Sequence, residues 1–88
     1  MNKWIVEGQL NEAPEINFKK GRSHATIRVN VDTGEIVIFA HDESIVRDVR
    51  KLNSGDKVRL IGAIETRDPK LRLNSPYFLN PEFLEKLD

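Results

Sequence analysis

Residues 23–31 alternate in polarity without a break, run into a tight turn, and are followed by a second alternating run. Ala25, Ile27, Val29 and Val31 fall on one side; His24, Thr26, Arg28 and Asn30 fall on the other. A period of two is strand geometry, because successive side chains of a strand point to opposite faces. Asp32-Thr33-Gly34 supplies the reversal, with Gly34 at the position that asks for positive φ. In Glu35–Ala40 the inward set is then Ile36, Ile38 and Ala40, and the outward set is Val37, Phe39 and His41. A hairpin with one apolar face must bury that face, so the rest of the chain has to cover it.

The remaining segments supply the cover. Trp4, Val6 and Leu10 share a face of a strand over 4–10, with Gly8 marking a bulge or bend. Residues 11–21 carry Pro14 and Gly21 and read as a loop with an extended middle. Asp42 caps a helix that carries Ile45, Val49 and Leu52 at helical spacing, with Val46 beside them, and Gly55 is placed to end it. Residues 56–67 form a long strand interrupted by Gly62, with Val58, Leu60 and Ile64 inward. Asp68-Pro69-Lys70 is a turn before a short strand at Leu71–Asn74. Asn80-Pro81-Glu82 reads as the start of a short terminal helix carrying Phe83, Leu84 and Leu87. Three strands, a helix and two more strands, with glycines bending the first and fourth, match an OB-fold barrel. The expected class is therefore all-β: a five-stranded OB-fold barrel with one helix between strands three and four and a short C-terminal helix. Residues 1–88 are expected to form a single OB-fold domain.

Composition removes several functions. Without cysteine there is no disulfide, thiolate metal site or cysteine nucleophile, and two histidines are too few for a histidine cage. No apolar run approaches the about 18 residues of a membrane span. No Ser-His-Asp order, phosphate loop or carboxylate pair stands out. The chain is expected to be a cytoplasmic, non-enzymatic protein with no metal, no cofactor, no small-molecule substrate and no membrane partner.

The 14 basic and 14 acidic side chains sum to zero, but they are segregated. Residues 19–31 carry Lys19, Lys20, Arg22 and Arg28 and no acid, giving +4. Residues 32–48 carry five acids against Arg47, giving −4, and residues 49–72 carry seven bases against three acids, giving +4. The acidic block lies on the hairpin turn and the helix start, where capping explains it. The basic segments fall on strands that an OB barrel brings to one side.

Several stretches together resemble the bacterial single-stranded DNA-binding protein family. Asn2-Lys3-Trp4-Ile5-Val6-Glu7-Gly8-Gln9-Leu10 is similar to its opening strand, and Ala13-Pro14-Glu15 to its Asp-Pro-Glu turn. Gly21 followed by Ala25, Ile27 and Val29, and then Ile36-Val37-Ile38-Phe39, resemble its second and third strands. Leu52-Asn53-Ser54-Gly55-Asp56-Lys57-Val58 and Gly62-Ala63-Ile64-Glu65-Thr66-Arg67 resemble its helix end and fourth strand. The family stacks bases on several aromatics; here only Phe39 sits at a matching position. Asp32-Thr33-Gly34 is a shorter turn than the family's, and Asp68-Pro69 replaces the start of a long loop. Primosomal OB-fold proteins resemble a similarly shortened barrel.

The resemblance implies a single-stranded DNA-binding protein, an accessory in replication, recombination or repair, that works as a homo-oligomer (dimer or tetramer). Phe39 is the candidate base-stacking residue. Arg28, Lys20, Arg22, Arg67, Lys70 and Arg72 are candidate phosphate contacts, with Arg59 and Lys57 on a strand that also suits a subunit contact. Val37, Phe83, Leu84 and Leu87 are candidate apolar contact residues. Two other readings stay open: an OB-fold protein-interaction module that binds no nucleic acid, and an RNA-binding OB fold.

Overall fold

The computed structural model describes residues 2–66 and 77–87. The elements are β1 (Lys3–Leu10), β2 (Glu15–Lys19), β3 (Arg22–Val31), β4 (Gly34–Ala40), α1 (Glu43–Val49), β5 (Lys57–Thr66) and β6 (Tyr77–Leu87). All ladders are antiparallel and follow the order β2-β3-β1-β5-β6, with β4 on β3. The sheet curls so that β4 approaches β6, which gives the path of an OB fold. No helix of the described residues is long and apolar enough to cross a membrane.

The β3–β4 hairpin follows the polarity pattern. Ala25 pairs with Ala40, Ile27 with Ile38 and Val29 with Ile36. Ala25, Ile27, Val29, Ile38 and Ala40 are fully buried. Leu10 of β1 and Val58 and Leu60 of β5 close the same core. Ile45, Val46, Val49 and Leu52 cover it from α1 and the turn after it. Asp42 caps α1: its carboxylate accepts from the Ser44 amide at 2.8 Å, from the Ser44 hydroxyl, and from the Ile45 amide at 3.4 Å. The Ser44 hydroxyl, then the two amides, hold the Asp42 carboxyl below its ordinary value of 3.8.

Four expectations change. The segment 11–21 contains β2, which extends the β3 strand into a long hairpin. Its loop is Lys20-Gly21, with Lys19 paired to Arg22 and φ of 53° and 75° at the two loop residues. Positive φ at both positions gives the turn whose twist suits a two-residue hairpin. The helix ends at Val49, short of Gly55. The Lys51 and Leu52 amides bond three residues back, to Asp48 and Val49, which tightens the last turn and turns Leu52 inward. Gly55 sits instead in a turn over 53–56 that docks on the end of β1, its amide donating to the Leu10 carbonyl at 2.7 Å.

The third change is the C-terminal helix, which is a strand. Tyr77–Leu87 pairs with β5 along its whole length, from Thr66↔Tyr77 to Lys57↔Leu87. The local helix-start signal Asn80-Pro81-Glu82 loses to the second edge of β5, which pairs with β1 on its other side and would have no ladder partner here without β6. Pro81 is tolerated because it sits where the register shifts, opposite Gly62. Leu79 and Leu84 pack on the core, whereas Phe83 faces out at 66% exposure. Fourth, Ile64 was expected inward but is 39% exposed, beyond the end of the packed core. The expected turn at 68–70 and strand at 71–74 lie outside the described residues.

Gly62 has a steric reason to be glycine. A Cβ there would overlap the Asn80 carbonyl oxygen and the Trp4 ring. Trp4 is held in place by its indole N–H, which donates to the Ala63 carbonyl at 2.8 Å. We expect Gly62→Ala to cost about 1–3 kcal/mol through overlap, lowering the Tm in thermal unfolding, while Gly55→Ala, in open space but at a φ of 90°, costs about 1–2 kcal/mol through backbone strain alone. The depressed Asp42 carboxyl adds stability that is full above about pH 4 and is lost as pH falls through its folded value. Asp42→Asn keeps an oxygen cap and should flatten that part of a Tm-against-pH curve between pH 2 and 5.

Candidate nucleic-acid interface

Residues directly opposite each other in a ladder share a face, so the registers lay out the outer surface of β2, β3 and β4 row by row. Lys19 and Arg22 form the row at the hairpin tip, beside Lys20. Next come Asn17 and His24, with His41 beyond β4 in contact with His24. Glu15, Thr26 and Phe39 follow. Arg28 and Val37 form the row after that, and Asn30 and Glu35 the last.

Phe39 is 52% exposed at the middle of this surface. Thr26, rather than Arg28, lies directly opposite it. Arg28 is the diagonal neighbour, within reach of the ring for a long side chain. Arg28 also pairs with Glu35, Nη1 to Oε1 at 3.3 Å, and both side chains are 40% exposed. An exposed pair of this kind is weak, and a phosphate can replace the carboxylate. Lys19, Lys20 and Arg22 project into solvent from the tip, three bases in four residues. The surface thus presents the Phe39 ring with cationic side chains on two sides of it.

Arg59 is not part of this arrangement. It lies on the outer side of β1, β5 and β6, in the row Glu7↔Arg59↔Glu85. Its Nε donates to Glu7 and its Nη1 donates to Glu85 at 3.2 Å. Glu7 above all, then Glu85, raises the guanidinium pKa above its ordinary value. Lys57 is in the same sector, opposite Gln9 and Leu87. Arg67, Lys70 and Arg72 lie outside the described residues. Among the described residues, Lys57 and Arg59 therefore stand apart from the first basic segment.

Two residues escaped the sequence reading. Phe18 is 74% exposed on β2, opposite Ser23, on the side of the hairpin turned away from Phe39. It continues the inward parity of Ile16, but the hairpin carries it past the core. Only the length of β2, hidden in an apparent loop, would have signalled this. Arg50, just after α1, donates from Nη2 to the Ser23 hydroxyl at 3.2 Å and places a cation on that same side.

A second apolar feature occupies the β1–β5–β6 sector. Ile5, Ile61 and Phe83 are aligned across three strands, with Ile5 64% and Phe83 66% exposed. The Glu7–Arg59–Glu85 row flanks this stripe on one side and the Lys3–Glu82 ion pair on the other.

No family model and no curated protein matches the chain by sequence. Its structure is similar to that of a Plasmodium falciparum SSB in complex with ssDNA, with a TM-score of 0.74 and 21% identity, over 100% of this chain and 96% of that one. It is similar to the single-stranded DNA-binding protein of Thermus aquaticus, with a TM-score of 0.76 and 18% identity, over 100% of this chain and 41% of that one. The mitochondrial single-stranded DNA-binding protein Rim1 of S. cerevisiae gives a TM-score of 0.74 at 9% identity, over 98% of this chain and 93% of that one. The chain has the OB fold, in the form found in single-stranded DNA-binding proteins.

With Phe18 and Phe39 both largely in solvent, replacing either by alanine should shift the unfolding free energy by no more than about 1 kcal/mol, far less than a core Phe→Ala. Urea unfolding of the two variants checks this.

Proposed function

We propose that this chain binds single-stranded DNA on the outer face of β3 and β4, as an accessory in replication, recombination or repair. The observation that carries the proposal is the exposed Phe39 ring set between Arg28 and the basic hairpin tip, on a fold shared with a protein solved with ssDNA. A base stacks on Phe39. Lys19, Lys20, Arg22 and Arg28 neutralise phosphates to either side, and Phe18 with Arg50 offers a second contact where the strand passes around the hairpin. Every base has a π face, so this arrangement tolerates any sequence. With few rings and a net charge of zero, binding by one chain is modest and sensitive to salt.

Modest sites become useful when several act on one strand. The Ile5–Ile61–Phe83 stripe supports association of copies of this chain. It is apolar, lies in a sector away from Phe39, and is framed by charges of both signs that a second copy can match. Leu84 contributes to the core and not to this contact.

Anisotropy of a labelled oligo-dT tests the proposal. Binding should be measurable at low salt and fall steeply as salt rises. Phe39→Ala should weaken it by roughly 5-fold or more, the low end of a stacking contact. Replacing Lys19, Lys20 and Arg22 together by alanine should reduce the slope of log K against log salt by about 2, at about 0.7 per phosphate contact. No binding at low salt contradicts the reading, and tighter binding of oligo-U would transfer it to RNA. For the assembly, light scattering should give a multiple of 10.1 kDa for the native chain and the monomer for Phe83→Asp.

A further inference from the structure

β2 is an edge strand. It pairs with β3 on one side, and among the described residues nothing pairs with its other side. Lys19 and Arg22 close the two-residue turn, so they exchange both backbone bonds; in an antiparallel ladder such pairs alternate with pairs that exchange none. Glu15, Asn17 and Lys19 therefore bond to β3, whereas the N–H and C=O groups of Ile16 and Phe18 point to the open edge. The side chains divide at the same positions. Ile16 and Phe18 share one face, with Phe18 74% exposed, and Glu15, Asn17 and Lys19 share the face that carries Phe39. Glu15 and Lys19 are exposed and have no ion-pair partner among the described residues.

Glu15-Ile16-Asn17-Phe18-Lys19 is complementary to itself. Set antiparallel on a second copy, with a two-fold axis at Asn17, Ile16 meets the copy's Phe18 and exchanges both backbone bonds with it. Symmetry repeats the exchange at Phe18, so the open groups of both edges are satisfied. Glu15 meets the copy's Lys19 at each end of the seam, and the exposed Phe18 ring is covered by the copy's Ile16. A parallel arrangement would set Glu15 against Glu15 and Lys19 against Lys19, which is unfavourable. An antiparallel slip by two residues would set a charge against Asn17 instead. An open edge is a template for many strands, but this charge order selects a second copy in one register.

We propose that neighbouring copies on one DNA strand pair through β2, and that each completes the other's binding row. In the paired sheet the row Phe39–Thr26–Glu15 continues into Lys19 and Arg22 of the second copy. Four interstrand spacings of about 4.8 Å separate Phe39 from that Arg22, about 19 Å along one line. Within a single copy the basic tip lies in a different row from Phe39. The seam is small: five residues a side fall well short of the about 1,000 Å² that a stable interface buries. It therefore does not hold free copies together, and it forms where a shared strand raises their effective concentration to the millimolar range. It is separate from the Ile5–Ile61–Phe83 stripe. Its use on DNA rests on the function proposed above, whereas the self-complementarity of β2 does not.

The chain has no cysteine, so Asn17→Cys gives a single thiol at the two-fold axis. There the residue faces its copy in a pair without backbone bonds, with Cα atoms about 4.5 Å apart, within reach of a disulfide. With diamide as oxidant and saturating oligo-dT of about 40 nucleotides, room for several copies, this variant should form the disulfide dimer at least about 10-fold faster than with oligo-dT of about 8. Lys51→Cys, exposed after α1, should show no such acceleration. Adding Glu15→Lys sets Lys against Lys and should abolish the acceleration, and adding Lys19→Glu as well reverses the pair and should restore it. Bound oligo without acceleration in Asn17→Cys, or equal acceleration in Lys51→Cys, overturns the proposal. A measurement without DNA separates this failure from that of the function: at about 1 mM protein, Asn17→Cys should crosslink faster than Lys51→Cys. If no oligo binds but that difference is found, the DNA reading fails and the β2 pairing stands; if neither is found, both fail.

Discussion

The register of the β3–β4 hairpin decides which side chains meet solvent, and the rest of the molecule is built around that decision. A strand repeats every two residues, so a slip of β4 by one against β3 would bury Phe39 and expose Ile38. The two-residue turn at Asp32–Thr33 sets the register at one end. Burial of Ile27, Val29, Ile38 and Ala40 maintains it along the length. Both the Phe39 surface and the His24–His41 contact follow from this one alignment.

Sharing of β5 between β1 and β6 is the second constraint. At Gly62 the backbones of β5 and β6 and the ring of Trp4 come closer than a side chain would allow. That approach seals one side of the core and makes room for Pro81 at the register shift. It also aligns Ile5, Ile61 and Phe83 on the outside. The same crossing thus packs one side of the curled sheet and presents a contact stripe in a different sector from Phe39.

What could be read from the sequence divides along physical lines. Alternation showed the β3–β4 faces, the inward Trp4 and Leu10, and the outward Phe39, because burial of one face writes itself directly into the pattern. The Asp42 cap was equally legible, being a local interaction. The β6 strand was not. Its local signals favour a helix, and only the long-range demand of β5 for a ladder partner overrides them. The surroundings of Arg59 were also hidden, since Glu7 and Glu85 reach it from strands distant in sequence. Phe18 was missed because a tight Lys20-Gly21 turn made a strand look like a loop.

Binding on the β3–β4 face would bring a single strand against the amides around Phe39 and the hairpin tip. Amide chemical-shift mapping during titration with oligo-dT at low salt tests it most directly. The largest changes are expected at Lys19 to Arg22, Thr26, Arg28 and Phe39, with the Ile5, Ile61 and Phe83 amides little affected. Changes concentrated on the β1–β5–β6 sector, or none at any strand concentration, would contradict it.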